Sequence, residues 1–207
     1  PRLAADFARQ LADAVQFAHD ARVLHRDIKP ANVLLFLVES RETSAEKATS
    51  RLSTLDSRLS PKLADFGLAK RMGDLRQTIS GVMLGTPGYV APEQVLSGGH
   101  AIGPAADLFG LGAVLYEMLT GRPPYLASSW DDMLAALQRE EVVRPRLLEP
   151  AVPPELEWIC LKCLRRDPRR RYTSARALAD DLRRFLAGER IQARPPSAWS
   201  RVTSWSQ

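Results

Sequence analysis

Between Pro104 and Gly121 lies a segment whose apolar residues, Leu108, Phe109, Leu111, Val114, Leu115, Met118 and Leu119, fall on every side of a helix instead of along one stripe. Proline suits the first helical turn and glycine the position just past the last, so the segment reads as one helix from about Ala105 to Thr120. A helix with no polar face has to be enclosed. Lipid cannot enclose this one: its apolar run, residues 108–119, holds Glu117, Gly110 and Gly112 and falls far short of the ~20 residues of a membrane span. The remaining chain must therefore wrap it, and 207 residues, 45% hydrophobic and 26% charged, suffice for one sizeable core.

Most of the wrapping reads as helix. Leu3, Phe7, Leu11, Val15 and Ala18 recur at spacings of four and three, which predicts an amphipathic helix over residues 2–20. Three more follow the central one: one capped near Ser128 or Ser129 with Asp131 and Asp132 in its first turn, one near residues 155–165, and one near 174–187 stopped by Gly188. Short β-type runs occur at Val23 and Leu24, at residues 33–38 and near residues 62–64. The expected class is mainly α (α+β), a helical bundle around a buried central helix with short β-hairpins beside two polar loops.

Residues 39–60 change character: nine of the twenty-two are Ser or Thr, with no glycine or aromatic residue, which predicts a mobile insertion. Leu52, Leu55 and Leu59 would share a helix face, so a short helix late in the insertion is the alternative. Residues 188–207, with Pro195, Pro196, Trp199 and Trp205 near Arg194 and Arg201, lack periodicity and read as a linker, or as a juxtamembrane approach to a tether further along. Pro1 stands where a natural chain opens with Met, and helical patterning starts at once, so the N-terminus is expected to be a cut.

Several function classes are disfavoured. The net charge of +5 is spread over many segments and reads as solvated surface, so no nucleic-acid partner is expected. Cys160 and Cys163 are too few for a disulfide framework, no secretory leader is visible, and a cytoplasmic setting is expected. With no second CxxC and with Trp158, Ile159 and Leu164 beside them, the two thiols read as buried core. His19 and His100 stand apart from cysteine or carboxylate clusters in sequence and read as ordinary residues.

Chemistry concentrates in residues 25–32, His-Arg-Asp-Ile-Lys-Pro-Ala-Asn. One short loop there carries a carboxylate to orient a hydroxyl and take its proton, an ammonium to neutralise charge on phosphoryl oxygens, and an amide oxygen able to enter an octahedral Mg²⁺ shell. A polar turn with a satisfied histidine is the plain alternative, and the residues further along decide against it.

In order after this loop come Asp65-Phe66-Gly67 and, at residues 85–93, Gly-Thr-Pro-Gly-Tyr-Val-Ala-Pro-Glu. The set resembles the C-terminal lobe of serine/threonine protein kinases, and its wording is similar to bacterial Hanks-type enzymes, most of all to planctomycete sensor kinases. The resemblance covers residues 1–187 except the insertion. It implies Asp27 as the base, Lys29 as the γ-phosphate contact, and Asn32 and Asp65 as ligands of Mg²⁺. It further implies ATP as co-substrate, with Leu34 beneath the adenine and Phe66 beneath an opposite lobe. His25 and Arg26 would support the loop, Thr86 and Gly88 would belong to a platform for a Ser- or Thr-bearing protein substrate, and Thr78 and Ser80 would be phosphosites. Glu93 would pair with Arg171, with Arg169 or Arg170 as the alternatives if the register slips, and Asp107 would hold the catalytic-loop backbone from the head of the central helix.

Two departures from the family pattern stand out. From Asn32 to Asp65 is 65 − 32 = 33 positions, longer than the usual hairpin because of residues 39–60. The glycine-rich loop, the strand lysine and the helix glutamate of the N-terminal lobe are absent from the 207 residues, so that lobe is an expected partner from the same polypeptide. A pseudokinase scaffold that binds partners without catalysis is the rival from another class, against which the intact Asp27, Asn32 and Asp65 argue. Small-molecule phosphotransferases of similar fold share the Asp and Asn and lack residues 85–93.

Overall fold

The computed structural model describes residues 1–37, 59–66, 87–96, 102–139 and 142–194. The expected insertion (apart from Leu59 and Ser60), Gly67, Lys70, Thr78, Ser80, Thr86, His100 and the end of the tail lie outside the described residues.

Helix α1 spans Arg2–Asp20 and buries Phe7, Leu11 and Val15, the stripe read from the sequence, together with Ala5, Ala8 and Ala12. Phe17 falls off the stripe and is 80% exposed. The helix closes by bonds from the Arg22 N–H to the His19 carbonyl and from the Val23 N–H to the Ala18 carbonyl, with Arg22 at φ +61°. This is the double-bond ending usually built on glycine, here with arginine in the left-handed position. Val23 and Leu24, expected as a strand, pair with no strand among the described residues, and the Val23 N–H is spent on closing α1.

The described residues contain one sheet, of two antiparallel strands: β1, Val33–Leu37, and β2, Leu59–Leu63, with Val33 opposite Leu63 and Leu37 opposite Leu59. Of the expected short β-hairpins, one lies among the described residues, and Leu59 and Ser60, read as the end of the insertion, belong to its second strand. Leu52 and Leu55, which carry the rest of the alternative helix, lie outside the described residues. The insertion departs and returns at a facing residue pair.

Among the described residues six more α-helices follow α1. After α2 (Pro92–Leu96) comes α3 (Pro104–Thr120), the central helix, buried from Ala106 through Tyr116 and again at Leu119, and ended by Gly121 at φ +74°. Helices α4 (Trp130–Arg139), α5 (Pro145–Leu148), α6 (Pro154–Cys163) and α7 (Ala175–Ala187) follow. Helix α4 is capped reciprocally: the Ser129 hydroxyl accepts from the Asp132 N–H, and the Asp132 carboxylate accepts from the Ser129 N–H, both at 3.1 Å. Helices α1 and α6 pack against α3, and α7 packs along α1.

Two glycines let α3 be approached closely. A Cβ on Gly112 would stand 2.4 Å from Cys163 Cβ, and one on Gly110 would stand 2.7 Å from Ile28 Cβ. Gly110 therefore sets how near the catalytic loop can lie to the central helix.

The tail expected as linker from residue 188 is partly structural. Ile191 packs against the core, Ala193 is buried, and the N–H groups of Gln192 and Ala193 donate to the buried Asp181 carboxylate at 2.7 and 2.8 Å. Tyr172 donates its hydroxyl to the same carboxylate at 2.8 Å. Burial with that contact pushes the Tyr172 pKa far up. Backbone bonds to one carboxylate leave no periodic trace, which is why a sequence pattern does not show them.

Candidate active site

Asp107, in the first turn of α3, organises the site. Its side chain is buried, and its Oδ1 accepts from the Arg26 N–H at 2.7 Å while Oδ2 accepts from the His25 N–H at 3.0 Å and lies 2.7 Å from His19 Nε2. Arg26 sits at φ +67°, a left-handed conformation that costs an L-residue about 1–2 kcal/mol. Both its flanking peptides are held: Asp107 takes its N–H and Gln94 Nε2 donates to its carbonyl at 2.9 Å.

His25 joins the loop to the strand that leads to Asp65. Its Nε2 is 2.9 Å from the Ala64 carbonyl, which can only accept, and its Nδ1 takes the Asp27 N–H at 3.4 Å. Those two roles assign the neutral Nε2–H tautomer. The ring also meets Phe66 edge-on at 4.7 Å, so Phe66 is seated on the loop. Beside it a cleft of about 360 Å³ is lined by Gln10, Asp13, Ser60, Lys62 and Phe66 among others.

Around Asp27 three chemical groups converge. Lys29 Nζ lies 2.8 Å from Asp27 Oδ2, and Asn32 Nδ2 donates to the Asp27 carbonyl at 2.8 Å and to Oδ2 at 3.1 Å. With its amide hydrogens committed to Asp27, Asn32 keeps Oδ1 as its available ligand atom. The Asn32 carbonyl accepts from the Ala64 N–H at 2.8 Å, which ties this cluster to exposed Asp65, itself at φ +62°. Leu34, one residue into β1, is 47% exposed.

Further out, Pro87–Tyr89 forms a single 3₁₀ turn against the end of α3. A Cβ on Gly88 would stand 2.7 Å from the Tyr125 carbonyl oxygen and 3.0 Å from Pro123, so only glycine fits there. Tyr89 donates to Glu117 Oε2 at 2.6 Å, and burial beside that carboxylate pushes its phenol pKa up. Arg171 meets Glu93 through two parallel bonds of 2.7 Å and also donates to the carbonyls of Ala105 and Arg165. Arg169 and Arg170 instead lean on Asp167, exposed.

Sequence reasoning missed His19, Gln94 and Asp181. His19 contacts a residue 88 positions away, so its apparent isolation from carboxylates was a property of the chain and not of the fold. Cys160 and Cys163 are both buried, with their thiol pKa values raised by burial, and among the described residues no group of His, Cys, Asp or Glu is arranged to hold a metal alone.

Residues 1–182 match the family described as protein kinase domain. A probable serine/threonine-protein kinase of Streptomyces coelicolor is 34% identical over 185 residues, covering 88% of this chain and 24% of that protein. The serine/threonine-protein kinase PknB of Mycolicibacterium smegmatis is 31% identical over 191 residues, covering 91% and 27% respectively. One from Myxococcus xanthus is 37% identical over 187 residues, covering 89% and 24%. The chain thus spans about a quarter of the length of the curated relatives it matches. Together with the ordered loop, strand and platform residues, these matches show that the chain belongs to the protein kinase domain family, in its bacterial Hanks-type serine/threonine branch.

Proposed function

We propose that this chain supplies the phosphoryl-transfer half of a protein serine/threonine kinase, with Asp27 as the base. The observation that carries the reading is the cluster of Asp27, Lys29 and Asn32 on a loop whose strained backbone is held by Asp107 and whose far end is tied to Asp65. Asp27 orients the incoming Ser or Thr hydroxyl and accepts its proton, while Lys29 neutralises negative charge on the transferring group.

The donor set fits Mg²⁺ and ATP. One amide oxygen and one carboxylate, Asn32 Oδ1 and Asp65, are the sparse protein ligation Mg²⁺ takes when phosphates and water complete its shell. When bound, the metal supplies charge neutralisation across the phosphates; what the chain contributes is two ligands at a fixed mutual placement. Leu34 forms part of the floor beneath the adenine. The remaining phosphate-positioning groups have no match in these 207 residues and come from a second lobe. Exposed Leu34, Leu35, Phe36 and Leu37 support that assignment.

The substrate is a protein hydroxyl presented on the platform that contains Gly88 and Thr86. Thr78 and Ser80 are proposed activating phosphosites. Arg26 Nε, buried with no hydrogen-bond partner among the described residues, supports a phosphate partner for that guanidinium. A cytoplasmic working site is proposed as well; no described helix is long and apolar enough to cross a membrane.

The test is transfer of labelled γ-phosphate to a Ser/Thr peptide by the intact protein and by its Asp27→Asn variant. Loss of ~10²-fold or more is expected, and near-normal transfer by the folded variant would sink the assignment.

A further inference from the structure

We propose that Gln94 is a positioning residue that couples the substrate platform to the base: its side chain ties the start of α2 to the peptide that carries Asp27. The inference rests on the kinase reading above and adds a residue outside the loop, the metal ligands and residues 85–93.

Both ends of the Gln94 amide are committed. Its Oε1 accepts the Ala91 N–H at 3.1 Å, and its Nε2 donates to the Arg26 carbonyl at 2.9 Å. The two ends cannot be exchanged, because a backbone N–H only donates and a carbonyl only accepts. The first bond is local. Gln94 is the third residue of α2, and a Gln or Glu there commonly reaches back to the N–H just before the helix. A carboxylate would serve that bond as well as an amide does. The second bond crosses 68 positions of sequence and needs a donor, which glutamate lacks. Glutamine is the residue that makes both.

What Gln94 holds is the peptide between Arg26 and Asp27. At the N–H end of that peptide Asp27 meets His25 Nδ1 at 3.4 Å; at the carbonyl end Gln94 makes the shorter bond. Because the peptide unit is planar, fixing its carbonyl fixes the direction in which the chain enters Asp27. Gln94 can impose that direction since its own backbone is anchored. Glu93 before it pairs with Arg171, Val95 after it is buried, and so is Ala91 at the other end of its local bond. The Pro87–Tyr89 turn, packed on α3, runs through Val90 into this anchor. A platform out of place would carry α2 with it, and the Arg26 carbonyl would lose its donor. Docking of the platform and aiming of Asp27 are in this way one event.

Two substitutions in the intact protein separate the two bonds. Gln94→Glu keeps the acceptor for Ala91 and loses the donor; Gln94→Lys keeps a donor within reach of the Arg26 carbonyl and loses the acceptor. Misplacing a reacting group by a fraction of an ångström to an ångström costs roughly tenfold to hundredfold in rate. For Gln94→Glu, kcat on a Ser/Thr peptide is expected to fall by that factor, KM for ATP to stay unchanged, and amide hydrogen exchange at Asp27 to accelerate. Gln94→Lys is expected to keep kcat and Asp27 exchange near those of the parent. A helix-capping role alone gives the opposite order, with Gln94→Glu intact and Gln94→Lys impaired, and that result would overturn the proposal. So would equal losses in the two variants, or unchanged kcat and exchange in Gln94→Glu. Should Gln94→Glu not fold, Gln94→Met, which lacks both bonds, takes its place and is compared with Gln94→Lys in the same way. The exchange measurement needs no turnover, so an inactive parent would refute the kinase reading while the Gln94–Arg26 link is still decided.

Discussion

Helix α3 and strand β1 are the two most apolar stretches described, and the fold treats them oppositely. Helix α3 is covered along most of its length, by α1 and α6, by the 25–32 loop at Ile28 and by Arg171 stacked on Phe109, with Met118 near its end exposed. Strand β1, Val-Leu-Leu-Phe-Leu, is covered only at its first residue, and Leu34 through Leu37 are 47–64% exposed. Equal hydrophobicity thus has two uses. In α3 burial supplies the stability of the lobe and anchors the site through Asp107; β1 leaves apolar surface at the mouth of the site, next to Asn32. One apolar run holds the fold, while the other is left on the surface beside the candidate site.

The comparison breaks most sharply at Arg171. Its guanidinium is buried under Glu93 and three carbonyls, so Arg171→Ala removes the buried half of this pair near the head of α3 and is expected to lower stability by ~3–5 kcal/mol. Chemical denaturation reads this directly, and a loss below ~1 kcal/mol would show that the covered side does not depend on the pair. Asp27→Asn should do the reverse: transfer falls by ~10²-fold, about 2.7 kcal/mol in barrier, with the denaturation midpoint unmoved. If stability falls with activity, Asp27 is a structural residue.

Gly110→Ala probes the seam between covered helix and loop. The added methyl meets Ile28, and overpacking is expected to cost about 1–3 kcal/mol together with a reduced kcat, because Ile28 sits between Asp27 and Lys29. A fully active, equally stable variant would show that the loop has slack. On the uncovered side, deletion of residues 41–58 should change stability by less than ~1 kcal/mol, since loop length enters closure entropy only logarithmically and the strands on either side already pair at Leu37 and Leu59. Loss of cooperative unfolding would show the insertion to be structural. The smallest effect is expected from Leu35→Ser with Leu37→Ser, within about 0.5 kcal/mol of the parent chain in denaturation but with less self-association by light scattering. A large destabilisation there would mean that β1 belongs to the core.

The order of motifs in the chain was enough to place the family, and it singled out residues 25–32, Asp65 and residues 85–93 as the candidate site. Those features are local: each needs a few residue types at fixed spacing, and chemistry restricts which types serve. The central helix was legible for a similar reason, since a period of 3.6 with no polar face permits only burial, and its proline and glycine mark its ends.

What the sequence left open depended on distance or on backbone. Val23 and Leu24 have strand-forming side chains but no strand partner among the described residues, and pairing is decided by a second chain segment. The end of α1 falls where the periodicity put it, at residue 20, although arginine stands in the left-handed position where glycine is the usual signal. Residues 191–194 dock through backbone N–H groups, which every sequence possesses. His19 read as an ordinary surface histidine until α1 and α3 came together and set it against Asp107, 88 positions along the chain. Sequence alone determined which groups stand in the candidate site: the carboxylates of Asp27 and Asp65, the ammonium of Lys29 and the amide of Asn32. Tertiary structure decided which side chains hold them still, because a buried carboxylate binds whatever donors folding delivers to it, wherever they lie in the chain.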